Sequence, residues 1–374
     1  MTMSDAHARG VWYPALDGLR GLAALWVLLG HVAQPTLYNR LVWILLNNGL
    51  AVDLFMLLSG FLMYSIHEEL SEVGIIDFWL KRFFRLAPLY YVCLIASFVL
   101  TPWFLEVATE IWSRTPHLHG WPVSNSIASF VAHPTFLFGL SPALQQSTLL
   151  PDWSLTLEAQ FYLAFPFILM AMKRFGVLRS LVPLLFVQVG IFYLFRDMFV
   201  AYVFPSVLPL KLHVFLAGML IAAFVKGSTW GAGYLTLATL CVVLPVPSFS
   251  LSYSICRVAM IGIVLFCTKP LDSKLASAVR FFFSMRIMRW AGDMSYAVYL
   301  VHTAIMYWVL SFLVADLQVN PLRSFLVVSG VTLVFSYALA AILHRLIEVP
   351  GIHFGRELVR GRAARTCEEK PPPA

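Results

Sequence analysis

Leu16-Asp17-Gly18-Leu19-Arg20-Gly21-Leu22-Ala23-Ala24-Leu25-Trp26-Val27-Leu28-Leu29-Gly30-His31-Val32 is the first long apolar run of the chain, and it carries an arginine and a histidine eleven positions apart. On a helix turning about 100° per residue, eleven steps bring the two side chains back to within about 20° of each other, about 16 Å apart along the axis. Ionisable groups this deep in hydrocarbon need a partner or a water-filled cavity, and they mark function. The plain structural alternative is a neutral histidine bonded to a neighbouring helix.

The remaining sequence has the same character. Of 374 residues, 60% are hydrophobic and only 12% are charged, with a mean hydropathy of +0.80. Soluble domains carry about 25% charged residues, so this composition belongs to a membrane protein. The net charge of +7 does not point to nucleic acid, because the basic residues lie between apolar runs and in the C-terminal tail, where topology signals sit. Cys93, Cys241, Cys256, Cys267 and Cys367 show no CxxC and no metal-ligand spacing, so they read as small hydrophobes and no metal site is expected. Met1–Pro14 is polar and the first run has no small-residue cleavage site, which predicts a retained first span.

Runs of about 17–22 apolar residues can cross a bilayer. Ten are readable, at 21–37, 49–67, 86–105, 153–172, 178–196, 207–226, 230–247, 252–268, 292–313 and 324–345. The segment Ser126–Leu140 is shorter and is interrupted by His133-Pro134. If it does not cross and the N-terminus is cytoplasmic, 20 of the 26 Lys and Arg lie on the inner side, leaving Arg40, Arg114, Arg196, Lys211, Arg257 and Arg323 outside. If it did cross, Lys173-Arg174, Lys226 and the arginine-rich tail would all be external, against the positive-inside rule. The sequence therefore predicts an all-α polytopic bundle of about ten spans with both termini cytoplasmic and a re-entrant or interfacial segment over 126–142. One membrane domain over 14–352 is expected. The basic tail 353–374, ending in Lys370-Pro-Pro-Pro-Ala374, is expected to be partly disordered and to lie on the anionic lipids of the inner leaflet.

This topology sorts the polar residues by depth. His31 and Glu158 come about 9 Å below the outer surface and Asp53 about 6 Å, with His213 and Arg257 in the same layer. A histidine near its ordinary range can take a proton from a hydroxyl while a carboxylate on its other ring nitrogen fixes the tautomer. Glu158 and Asp53 both qualify as that carboxylate, and the alternative is that these groups pair only to hold the bundle together. At the inner side, Arg20 opens the first span and Lys81-Arg82-Phe83-Phe84-Arg85 precedes the third, with Arg179, Arg286 and Arg289 nearby. Planar guanidinium forks suit phosphates, and topology or head-group contact is the competing explanation. His302 lies mid-span, where a helix-to-helix hydrogen bond is its simplest role. Glu348-Val349-Pro350 closes the last span, with Glu348 expected to pair with an arginine.

Together these motifs resemble the acyltransferase 3 family of integral membrane O-acyltransferases. Leu16–Gly21 with His31 is similar to its LDGLRG…H signature, and Val52-Asp53-Leu54-Phe55 to Leu58-Ser59-Gly60-Phe61-Leu62 to its second motif. Arg82-Phe83-Phe84-Arg85 is similar to its Arg-x-x-Arg, Trp153-Ser154-Leu155 through Glu158 to Tyr162 to its WSL…E..FY, and Tyr299-Leu300-Val301-His302 and Glu348-Val349-Pro350 to its late motifs. Ala51 and Ala87 stand where the family commonly has a glycine and an aromatic residue. The resemblance implies transfer of an acetyl or similar short acyl group from a cytoplasmic acyl-CoA co-substrate, with no permanently bound cofactor, to a hydroxyl of a cell-envelope saccharide or lipid-linked glycan. It implies a bacterial plasma membrane location, an essential His31, and Arg20, Arg82 and Arg85 handling the donor. Glu158 and Asp53 are expected beside His31, and Trp153, Ser154, Arg257 and His302 on the substrate.

The rival from another class is a proton-coupled transporter or exporter, for which mid-depth charges and a broken segment would also serve. Against it stand the absence of a visible internal repeat and an Arg-x-x-Arg with no role in transport. A narrower alternative keeps the enzyme but gives it a small-molecule acceptor such as a macrolide. No residue selects the acceptor, the acyl chain or the oligomeric state.

Overall fold

The opening run folds as helix α1 (Pro14–Thr36), with proline at its first turn and the Asp17 carboxylate accepting from the Trp12 indole N–H at 3.2 Å. In the computed structural model, residues 12–38, 42–68, 70, 74–115, 123, 126–227, 231–243, 250–269, 271–313 and 320–368 are described. After α1 come α2 (Gly49–His67), α3 (Ile75–Arg114), α4 (Trp153–Phe175), α5 (Val177–Leu194), α6 (Leu208–Val225), α7 (Gly231–Val243) and α8 (Leu251–Thr268). They are followed by α9 (Lys274–Ser284), α10 (Arg286–Asp293), α11 (Ser295–Ser311), α12 (Pro321–Leu343) and α13 (Val349–Glu368). No strand occurs among the described residues. Among the described residues, eight helices are long and apolar enough to cross a membrane, and α10–α11, bent by 70°, makes a ninth if taken as one span.

Several expected boundaries move. The run 230–247 is helical only over Gly231–Val243, and its flanks 228–230 and 244–249 lie outside the described residues. The third span, expected at 86–105, is the middle of the 40-residue α3, which at 1.5 Å per residue is about twice the hydrocarbon thickness. Arg82 and Arg85 therefore sit within a continuous helix. The last span does not stop at 345. α12 passes through a π-helical turn (His344–Glu348) into α13, so the boundary drawn at 352/353 falls inside a helix. The first turns of α13 press on α3, with Gly351 against Pro88 and Gly355 against Phe84. Residues 369–374 and Arg40 lie outside the described residues.

The segment 126–142 contains the short helix Ile127–Ala132 and a 3₁₀ turn, Phe138–Leu140, neither able to span. Phe136 takes φ 59°, a left-handed turn that folds the segment back.

Glycine contacts hold the bundle together where backbones cross. A Cβ on Gly60 would lie 2.0 Å from Phe215 O, and one on Gly218 2.0 Å from Leu57 O, so α2 and α6 meet backbone to backbone. Asp53 pairs with Lys211 at one end of this crossing and Glu68 with Lys226 at the other, so α2 and α6 run parallel. α1 meets α9 and α10 in the same way: Cβ atoms on Gly18 and Gly21 would fall 2.0 Å from Phe283 O and 2.8 Å from Gly292 N. Gly21 with Gly292 and His31 with His302 make α1 and the α10–α11 pair parallel as well.

Candidate active site

The family-like residues collect around α1, α2, α3, α4 and α11. His31 Nδ1 lies 2.7 Å from His302 Nε2, with the two rings nearly parallel. The other nitrogen of His302, Nδ1, lies 2.9 Å from Tyr299 O and 3.1 Å from Val298 O. Carbonyls only accept, so the hydrogen-bond network puts the His302 proton on Nδ1 and leaves its Nε2 as an acceptor. His31 then donates from Nδ1, and its Nε2 keeps a free lone pair. His302 is 1% exposed whereas His31 is only half-buried, so the lone pair belongs to the accessible ring. The expectation of a carboxylate on His31 is corrected here: a second imidazole fixes its tautomer. The inter-helix bond expected of His302 is present.

Two adjoining cavities, of about 70 and 30 Å³, occupy the bundle beside this pair. They share Arg20, Ser59, Glu158 and Tyr296. The smaller is bounded by Arg82, Arg85 and Tyr162, and the larger reaches Ser154 and Tyr299, one helical turn from His302. Glu158 Oε1 accepts from Ser59 Oγ at 3.3 Å and from the Tyr162 hydroxyl. At the far wall the Tyr299 hydroxyl donates to Pro151 O and accepts from Ser154 Oγ at 2.7 Å. His31 is not itself among the lining residues. It reaches the cavity wall through His302 and Tyr299.

The arginines of α3 share a face at i, i+3 and are fixed differently. Arg85 pairs with Glu348, which also holds His344 at 2.8 Å, and its guanidinium lies 5.5 Å from the Tyr296 ring centroid. Glu348 thus meets the arginine expected for it. Arg82 Nη2 bonds His67 Nε2 at 2.9 Å and lies over the Phe78 and Tyr162 rings. Stacked guanidinium groups keep their in-plane donors for an anion.

The expected single outer layer divides. Asp53 is buried between Lys211 (2.5 Å) and Arg257 (2.7 Å), away from His31. His213 bonds Gln188 at 2.8 Å. Asp53, Lys211 and Arg257 satisfy one another, because a buried carboxylate attracts whatever cations the neighbouring helices supply. Arg257 does not line the cavity and Trp153 stacks on Phe204 at 5.1 Å, so neither is placed to meet a substrate there. Tyr296 and Tyr299 are functional candidates that the sequence reading passed over. Their spacing with His302 (i, i+3, i+6) put all three on one face, a signal present in the motif itself.

A family model described as an acyltransferase domain matches residues 13–341. The chain belongs to the acyltransferase 3 family. It is 26% identical to the peptidoglycan O-acetyltransferase OatA of Listeria monocytogenes over 91% of its own length and 56% of that protein. It is 30% identical to the acyltransferase MdmB of Streptomyces mycarofaciens over 46% of the chain and 43% of that protein. With the O-acetyltransferase OatA of Staphylococcus aureus it shares 25% identity over 47% of the chain and 28% of that protein. The chain thus spans about half or less of the length of these curated relatives. No solved structure matches it.

Proposed function

We propose that this acyltransferase 3 protein moves an acetyl or similar short acyl group from cytoplasmic acyl-CoA to a hydroxyl of a cell-envelope saccharide, in the plasma membrane of a bacterium. The observation that carries the reading is the His31–His302 pair, which leaves His31 Nε2 unprotonated, next to cavities leading back to Arg20, Arg82 and Arg85. The arginines bind the phosphates of the donor, Arg82 and Arg20 with their free donors and Arg85 as the Glu348-anchored edge of the site. The thioester arm runs past Ser59 and Glu158 toward Tyr299.

In the transfer step His31 Nε2 takes the acceptor's hydroxyl proton while the oxygen attacks the thioester carbonyl carbon. The new C–O bond forms, the C–S bond breaks, and the CoA thiolate recovers the proton from the imidazolium. His302 steadies that imidazolium through the Nδ1–H···Nε2 bond. Glu158 faces the cavity and contributes negative potential near the reacting centre, a role that Asp53, neutralised by two cations, does not share.

Helix directions support ten crossings. Parallel α2 and α6 require an even number of passages from the start of one to the start of the other, which α2, α3, α4 and α5 supply only if 126–142 does not cross. Parallel α1 and α11 then require α7 and α8 to cross together or not at all, and the length and hydropathy of α8 favour both crossing. Both termini lie on one side in this arrangement, and the basic residues make that side cytoplasmic.

The test is acetyl-CoA thioester cleavage by purified protein in nanodiscs, dependent on added glycan acceptor and followed by the acetyl mass shift on the product. His31→Ala should lower kcat about 10²–10⁴-fold. A His31→Ala protein with undiminished transfer would end this reading.

A further inference from the structure

The transfer step makes no use of His133, Asp152, Ser147 or Tyr90, all of them 0–1% exposed. They belong to or face the largely non-helical stretch between α3 and α4. Irregular backbone at membrane depth survives only where protein satisfies its polar groups. Here a buried hydrogen-bonded network does much of this, with Asp152 Oδ1 left over. Asp152 Oδ2 accepts from Tyr90 Oη at 2.9 Å, His133 Nδ1 at 3.1 Å and Thr148 Oγ1 at 3.3 Å. His133 Nε2 lies 3.0 Å from Ser147 Oγ, which donates to Leu144 O at 2.9 Å and meets Ser129 Oγ at 2.7 Å.

In outline Asp152, His133 and Ser147 repeat the order of a hydrolase triad. Two facts exclude a nucleophile. Ser147 is 1% exposed and lines neither cavity beside His31. Its hydroxyl donates to Leu144 O, so its one proton is not offered to Nε2 of His133. Nδ1 of the same ring faces Asp152 Oδ2 at 3.1 Å, so the two side chains form a buried hydrogen-bonded pair.

Asp152 is also the residue preceding the first turn of α4. An aspartate there ordinarily caps the helix with its own carboxylate. The Asp152 side chain makes no such bond and turns to Tyr90 and His133 instead. A forgone cap marks a position held for something other than helix stability. Its neighbours show what: Pro151 O accepts from Tyr299, Ser154 Oγ bonds the same hydroxyl, and Leu149 O accepts from Thr303 Oγ1 at 3.1 Å. Tyr299 lines the cavity, and its carbonyl fixes the His302 tautomer.

We propose that the buried, hydrogen-bonded His133–Asp152 pair is a positioning device for the reaction chamber, locking the start of α4 so that Pro151 and Ser154 hold the Tyr299 hydroxyl, and with it the His302–His31 pair, in register. The consequence for turnover rests on the proposed acyl transfer. The placement of Tyr299 does not.

The experiment reads both. Full-length protein in nanodiscs, with 3-fluorotyrosine at position 299, is compared with Asp152→Ala, Asp152→Asn and Ser147→Ala. Asp152→Ala should move the fluorine resonance and lower kcat about ten- to hundredfold, with KM for acetyl-CoA held within about twofold because the donor's arginines are untouched. Asp152→Asn keeps the acceptor oxygen and should fall between Asp152→Ala and wild type, and it serves as the readout if Asp152→Ala does not fold. Ser147→Ala should leave kcat within about threefold. An unmoved resonance with wild-type kcat in Asp152→Ala, or a Ser147→Ala protein without turnover whose Tyr299 signal is unchanged, overturns the proposal. Absence of acetyl transfer by the wild-type protein would sink the proposed function alone, since the fluorine shift still decides the clamp.

Discussion

His31 owes its free lone pair to a proton held on its neighbour. Because Tyr299 O and Val298 O claim the Nδ1 proton of His302, the free lone pair of the pair is forced onto His31 Nε2. His302→Leu should leave the His31 Nδ1–H without its acceptor, a loss of about 1–3 kcal/mol, and so slow acetyl transfer about ten- to hundredfold. His302→Gln, which can offer an amide oxygen, should recover part of it, and steady-state kcat of the two variants checks the order. Asp53 should behave oppositely. Removing it strands Lys211 and Arg257 in the bundle, so Asp53→Ala should destabilise by about 3–5 kcal/mol, seen as a fall in Tm in detergent. Glu158→Gln should keep Tm and lose kcat. The sequence made both carboxylates equal candidates for the same histidine, because depth along a helix is readable from residue number while rotation about the bundle is not. Lys211 shows the limit well: counted as an outer-surface charge, it is 6% exposed and bound to Asp53.

Helices were legible wherever hydropathy alone defines them, and their ends were not. α3 and α12–α13 run past the apolar stretch because a helix satisfies its own backbone and has no reason to stop at the membrane surface. The bend between α10 and α11 and the network around Asp152 were likewise invisible, since both depend on partners distant in sequence. The glycines of the two leading motifs have a packing meaning that spacing only hints at: Gly18, Gly21 and Gly60 sit where another backbone passes. Gly60→Ala should therefore push α2 off α6 and cost about 1–3 kcal/mol. Gly330→Ala, at a position where a Cβ meets nothing within 4 Å, is the control for the same thermal melt.

The bundle as assembled makes its own statement about sidedness. Cysteine substitutions near residues 5 and 372 in a cysteine-free protein should react with an impermeant maleimide only after the cells are opened. One at Ser141 should report from the opposite face if 126–142 turns back without crossing. Labelling of the two ends from opposite faces would require an odd number of crossings and would undo either the parallel pairing of α1 with α11 or the crossing by α12.

The seam between α1 and α10 leaves no side chain between the two backbones: a Cβ on Gly292 would fall 1.9 Å from Asp17 O. Nothing there can slide or pivot without peptide groups colliding. The frame carrying Arg20 is thus braced against α10, so at this wall of the cavity adjustment falls to single side chains such as Glu158 or Arg82 rather than to a shift of α1 along its neighbour.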